Sequence, residues 1–179
     1  RTELVALIDA GCVPGPRWLE QLLAALEGPP PRDVVFGVVR PETGSLFTSC
    51  LSTASLPAIR LPNGRKAMSD SVASLLLRRV VWERIGRFVE GCRTGEDVRF
   101  VHAIYTSGLV VGRSPEAEVT WEIPRTIRGT FRRLANYSHY SLEAGLASTW
   151  HYRVFLYDAA ALSLVVLAMF QSAWWLALL

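Results

Sequence analysis

Three sets of charged residues have the type and setting to do chemistry. The first is Asp9, which closes the apolar run "LVALID" and precedes Ala10 and Gly11. A carboxylate at the carboxyl end of a buried strand stands where open α/β sheets bind ligands. The two small residues leave room for a close approach, and one carboxylate together with substrate phosphates can hold Mg²⁺. The plainer reading is a turn cap ahead of Pro14. The second set is Glu96 and Asp97 in "TGEDVRF", at a helix start, where the dipole favours negative charge. They fit ordinary first-turn carboxylates, or a general base whose oxygen reaches a substrate hydroxyl. The third is Arg125, Arg128 and Arg132, spaced to share one helical face, with Arg133 beside them. Guanidinium forks match phosphate oxygens. A solvated face beside lipid headgroups fits the same spacing.

The elements that must position these groups follow from apolar periodicity. "ELVALI" reads as a buried strand and "GPRWLEQLLAALEG" as a helix with Trp18, Leu19, Leu22, Leu23 and Leu26 on its apolar face. "PPPR" breaks the chain, and "DVVFGVVR" is a second strand. Residues 41–68 are loop-rich. "SVASLLLRR" is a strand passing into a short helix, and "EDVRFVHAIYTSG" is a helix with Phe100, Val101, Ile104 and Tyr105 turned inward. "LVVGR" and "AEVTWE" read as two short strands, and Pro124 opens a long helix. Alternating strands and helices predict an α/β fold with a mostly parallel sheet.

Half of the 179 residues are hydrophobic, and the net charge is +3. No charged residue occurs from Ala159 to Leu179. At about 1.5 Å per residue this stretch would span about 30 Å, the thickness of a bilayer core, which predicts a transmembrane helix within residues 154–179. Arg125, Arg128, Arg132, Arg133 and Arg153 precede it and would put that side in the cytoplasm. No nucleic-acid motif accompanies the basic balance, so phosphate or anionic lipid is the expected anionic partner. Cys12, Cys50 and Cys92 form no CxxC pair and have no His at ligand spacing, which fits structural thiols in a reducing compartment.

Taken in order, "LVALIDAGCVPGPRWLEQLLAAL", "SVASLLLRRVVWERIGRFVEGCRTGEDVRF" and "VTWEIPRTIRGTFRRLANYSHYSLEAG" resemble the latter half of a family 2 glycosyltransferase, from residue 4 to about 147. The resemblance implies a GT-A-type fold, here partial, that binds a nucleotide-diphosphate sugar. It implies that residues 1–153 are the C-terminal part of the catalytic domain, with the nucleotide-binding part and its βαβ strands preceding Arg1. "ELVALI" would then be a strand with a missing neighbour and an exposed edge. Asp9 matches the first acid of the family's DxD element, which binds the donor and a divalent Mg²⁺ or Mn²⁺; Gly11 replaces the second acid. Asp97 matches the general base of inverting members, with Glu96 as its partner. Arg132 and Arg133 fall where many members carry an arginine near the donor diphosphate. Arg87 replaces the second glycine of the family's "GGF". The implied activity is transfer of a sugar, with inversion, to a hydroxyl of a glycan, polysaccharide or lipid-linked acceptor at the cytoplasmic membrane face, as in cell-envelope polysaccharide synthesis. The competing expectation is a non-catalytic membrane-associated protein that keeps a degenerate form of the fold.

Overall fold

The computed structural model describes residues 2–55, 58–60, 66–68, 70–88, 90, 95–143 and 147–170. The chain forms two compact units, Arg1–Arg133 and Leu134–Leu179. The first is built on a five-stranded sheet with helices on both faces. Its elements are β1 (Leu4–Ile8), β2 (Cys12–Pro14), α1 (Trp18–Glu27), β3 (Val34–Pro41), α2 (Leu46–Ser55), β4 (Ala58–Arg60), β5 (Lys66–Met68), β6 (Ser74–Arg78), α3 (Arg79–Arg84), α4 (Glu96–Thr106) and β7 (Val111–Trp121). β4 and β5 pair only with each other. α5 (Ile127–Glu143) runs from the first unit into the second, which also contains α6 (Ala147–Phe170).

The main sheet has the order β1-β6-β3-β7-β2. Only β3 and β7 run parallel; β1–β6, β3–β6 and β2–β7 are antiparallel. The sheet is therefore mixed, which corrects the expectation of a mostly parallel one. Alternation of helix and strand predicts parallel neighbours only when each helix crosses over to the adjacent strand. Here β6 inserts between β1 and β3 and runs against both.

The sheet is also strongly curled. β1 and β2 form opposite edges, yet only Asp9, Ala10 and Gly11 separate them. Four Cα steps reach at most about 15 Å, whereas four strand spacings in a flat sheet measure about 19 Å. The edges must bend toward each other. The crossing has room because β6 pairs with only Val34–Phe36 of β3 and leaves its second half uncovered on that side.

β3 is apolar nearly throughout because both of its faces are covered. Val35 and Val39 join Trp18, Leu22 and Leu26 of α1, along with Leu76, Ala117 and Val119. Val34 and Phe36 join Leu75, Leu77, Val81 of α3, and Phe100 and Ile104 of α4. Gly37 lies where these layers pinch. A Cβ there would overlap Ser74 Oγ and the Ala117 carbonyl. Opposite it, the pairing jumps from Phe36↔Arg113 to Val38↔Glu118. That bulge takes up Pro115, so what reads as two strands in the sequence is one.

β1 is an edge strand, and an apolar groove of about 580 Å³ runs beside it, lined by Leu4, Ala6, Leu19, Leu23 and Leu76 among others. Among the described residues, no helix is long and apolar enough to cross a membrane. This corrects the expectation of a transmembrane helix. α6 includes Arg153 and Asp158, and its uncharged part within the described residues runs only from 159 to 170. Twelve residues make about 18 Å of helix, well short of a bilayer core of about 30 Å. Residues 171–179 of the expected segment lie outside the described residues.

Candidate functional site

β1 and β3 each run against β6, so they point the same way, and β7 runs parallel to β3. Three loops therefore leave the same end of the sheet: the turn 9–11 after β1, the segment from Glu42 after β3, and the segment from Glu122 after β7. Backbone hydrogen bonds tie them together. The Cys12 N–H donates to the Asp9 carbonyl (3.1 Å), the Glu122 N–H to the Gly11 carbonyl (3.1 Å), and the Glu42 N–H to the Trp121 carbonyl (2.8 Å). The Gly15 N–H donates to the Glu118 carbonyl at 2.9 Å, which extends the short β2–β7 ladder.

Asp9 is exposed at this junction. Its Oδ1 accepts the Ala10 N–H at 2.8 Å, which orients the carboxylate. Gly11 holds φ +84°, a left-handed conformation that glycine adopts freely, and a Cβ on it would meet nothing within 4 Å. The surface beside Asp9 is thus open to a ligand. Behind it, burial and the neighbouring Asp9 carboxylate push the Cys12 thiol above its ordinary range, so it stays protonated near neutrality.

Arg133 reaches the same junction from α5. Its guanidinium carbon lies 5.3 Å from the centre of the Trp121 ring, and its Nη1 donates to the Glu122 carbonyl at 3.4 Å. One residue, Glu122, therefore touches both the Asp9–Gly11 turn and Arg133. Arg132, its neighbour in sequence, is exposed and makes neither contact. Arg125 Nη2 stands 3.4 Å from Glu42 Oε2 and 3.6 Å from Glu122 Oε1. Below the junction, Arg40 Nη2 pairs with Glu118 Oε1 at 2.7 Å.

Glu96 and Asp97 occupy the first turn of α4, behind Gly95 at φ 87°. Asp97 Oδ1 accepts the Val98 N–H at 2.7 Å. Glu96 Oε2 is shielded from solvent and has no hydrogen-bond partner among the described residues. No hydrogen bond or ion pair among the described residues joins this acid pair to Asp9 or Arg133. The Asp9–Gly11 turn and Arg133 thus both contact Glu122, while Asp97 lies on a separate element, α4. Trp121, Glu122 and Glu42 join the site without having been singled out in the sequence. "VTWE" reads as the end of a strand, and nothing local shows that β2 pairs beside it.

Among the described residues there is no group of three or more His, Cys, Asp or Glu side chains placed to hold a metal. No protein-family model matches the chain, and no curated protein matches it.

Proposed function

We propose that the chain is the acceptor- and diphosphate-binding part of an inverting glycosyltransferase that uses a nucleotide-diphosphate sugar. The observation that carries this reading is the junction of Asp9, Gly11, Trp121, Glu122 and Arg133 at one end of the sheet. An open carboxylate and a guanidinium, tied to the same residue Glu122 through its N–H on the Gly11 side and its carbonyl on the Arg133 side, suit a diphosphate and the divalent cation that accompanies it. Arg133 donates to phosphate oxygens and stabilises the charge that grows on the leaving diphosphate. Arg132, one residue earlier on the exposed side of α5, is the second candidate for donor contact.

The residues fit a Mg²⁺ or Mn²⁺ ion modestly. One oxygen of Asp9 is taken by the Ala10 N–H, which leaves the other for an ion. Mg²⁺ is commonly held by one or two carboxylates plus phosphate oxygens and water, so Gly11 in place of a second acid does not rule it out. Such an ion would supply charge neutralisation at the phosphates.

In this reading the acceptor hydroxyl attacks the anomeric carbon as the bond to the diphosphate oxygen breaks. The acceptor proton passes to the Asp97 carboxylate, and the anomeric configuration inverts. Glu96 flanks Asp97 in the first turn of α4. The acceptor is a hydroxyl of a glycan or lipid-linked saccharide.

The test is Asp97→Asn in the full-length gene product, assayed for transfer from labelled nucleotide sugars. Transfer should fall at least about a hundredfold, the usual scale of a lost general base, while donor affinity stays within about twofold. Near-normal turnover would remove Asp97 from this role.

A further inference from the structure

The loops leaving β3 and β7, the one parallel strand pair among the described residues, line a second cleft beside the Asp9 junction. It is about 270 Å³ and is lined by Glu42, Gly44, Ser45, Thr48 and Arg125. Ligands of α/β sheets settle at the carboxyl ends of parallel strands. The volume lies just under the roughly 300–1,000 Å³ of drug-sized sites, which suits a ligand of one ring.

The lining decides the chemistry of that ligand. Thr48 is buried and saturated locally: its hydroxyl donates to the Ser45 carbonyl at 3.0 Å and accepts the Ser45 N–H at 3.0 Å. It shapes the floor. The Ser45 hydroxyl accepts the Thr48 N–H at 3.2 Å and lies 3.1 Å from the Thr48 hydroxyl, so Glu42 and Arg125 are the groups left to meet a ligand. Glu42 and Arg125 side chains are 51% and 68% exposed, so neither is locked away. Nη2 makes the closest approach in both ion pairs of Arg125, at 3.4 and 3.6 Å, and donates its hydrogen bond to Glu42, so Nε and Nη1 face a ligand as further donors. Two carboxylates, Glu42 and Glu122, flank this one guanidinium. A phosphate or other anion would gain one cation and meet two anions. A neutral ligand with vicinal hydroxyls meets no such conflict. The Glu42 carboxylate accepts from two adjacent hydroxyls, and the guanidinium donates to ring or hydroxyl oxygens.

We propose that this cleft binds a neutral, polyhydroxylated ring, a single monosaccharide unit. Its identification as the acceptor sugar rests on the glycosyltransferase reading; the binding itself does not. Saturation-transfer NMR with the methyl glycosides of glucose, galactose, mannose and N-acetylglucosamine tests it. At millimolar concentration at least one glycoside should receive saturation, inorganic phosphate should fail to displace it, and Glu42→Gln and Arg125→Gln should each weaken it about tenfold, the scale of one charged hydrogen bond. Both side chains are rim residues, so both variants should keep the parent circular dichroism spectrum. The proposal fails if no glycoside binds the folded chain, if phosphate displaces it, or if the two rim variants bind as the parent does. Failure of the transferase reading would appear separately, as absent donor binding with glycoside binding intact.

Discussion

Arg133 lies over the Trp121 ring, 5.3 Å from guanidinium carbon to ring centre, and donates to the carbonyl of the next residue, Glu122. The contact anchors the Arg133 cation to the residue whose N–H bonds the Gly11 carbonyl. Arg132 has no such anchor. Arg133→Ala should therefore weaken binding of a nucleotide-diphosphate sugar about tenfold, as expected for a lost charged hydrogen bond. Arg132→Ala should cost less. Titration calorimetry of both variants measures the difference; a larger loss in Arg132→Ala would reverse the assignment.

Arg87 should be a site of stored strain. It follows Gly86 after α3, and the two hold φ 63° and 91°. Its N–H closes the helix by donating to the Trp82 carbonyl at 3.2 Å. A left-handed conformation costs a residue with a Cβ about 1–2 kcal/mol, and glycine loses about half to one of these to unfolded-state entropy. The side chain is exposed and replaceable. Arg87→Gly should stabilise the fold by about 0.5–1 kcal/mol in urea denaturation. A destabilised variant would mean that the Arg87 side chain makes a contact outweighing the strain.

Tyr105 should titrate late. Burial and its hydrogen bond to the Asp70 carboxylate push the phenol up to about 12, with Arg113 opposing. The Asp70 side chain is only 7% exposed and is gripped by Arg113 through Nε, at 2.8 Å, and Nη2. Because the folded pKa lies above the ordinary value of 10.0, the folded state holds the proton more tightly. The resulting stabilisation is full below pH 10 and is lost as pH rises toward 12. Difference absorbance of phenolate should show Tyr105 ionising late, and Asp70→Asn should move its titration down. An unshifted titration in that variant would place the cause in burial alone.

Much of the fold is legible in the sequence where periodicity is strong and local. α1 buries Trp18, Leu22 and Leu26 as its spacing predicts, although Leu19 at its edge is half exposed. α4 buries Phe100 and Ile104, while Tyr105 turns out toward Asp70. Strand direction is another matter. Nothing within "SVASLLLRR" tells that β6 will run between β1 and β3 and against both. Continuity of β7 is hidden because Pro115 looks like a break, and only the bulge opposite Gly37 absorbs it. α2 lies in a stretch whose weak apolar pattern, "LFTSCLSTAS", reads as loop. The uncharged tail misleads in the other direction, since absence of charge is counted without regard to where the helix begins. In the site, Asp9 is legible from its place at a strand end. Trp121, Glu122 and Glu42 are not, since their role arises from pairing between segments about eighty to a hundred and ten residues apart.

The proposed role of Asp9 is to mark the place where donor phosphates bind. Calorimetric titration of uridine, guanosine and thymidine diphosphate sugars into the full-length gene product, with and without Mg²⁺, tests it most directly when repeated on Asp9→Ala. At least one of these donors should bind the parent more tightly with Mg²⁺ present, and Asp9→Ala should both weaken this binding and reduce its dependence on Mg²⁺. The same affinity in parent and variant, with and without the ion, or no binding of any nucleotide sugar by the parent, would contradict it.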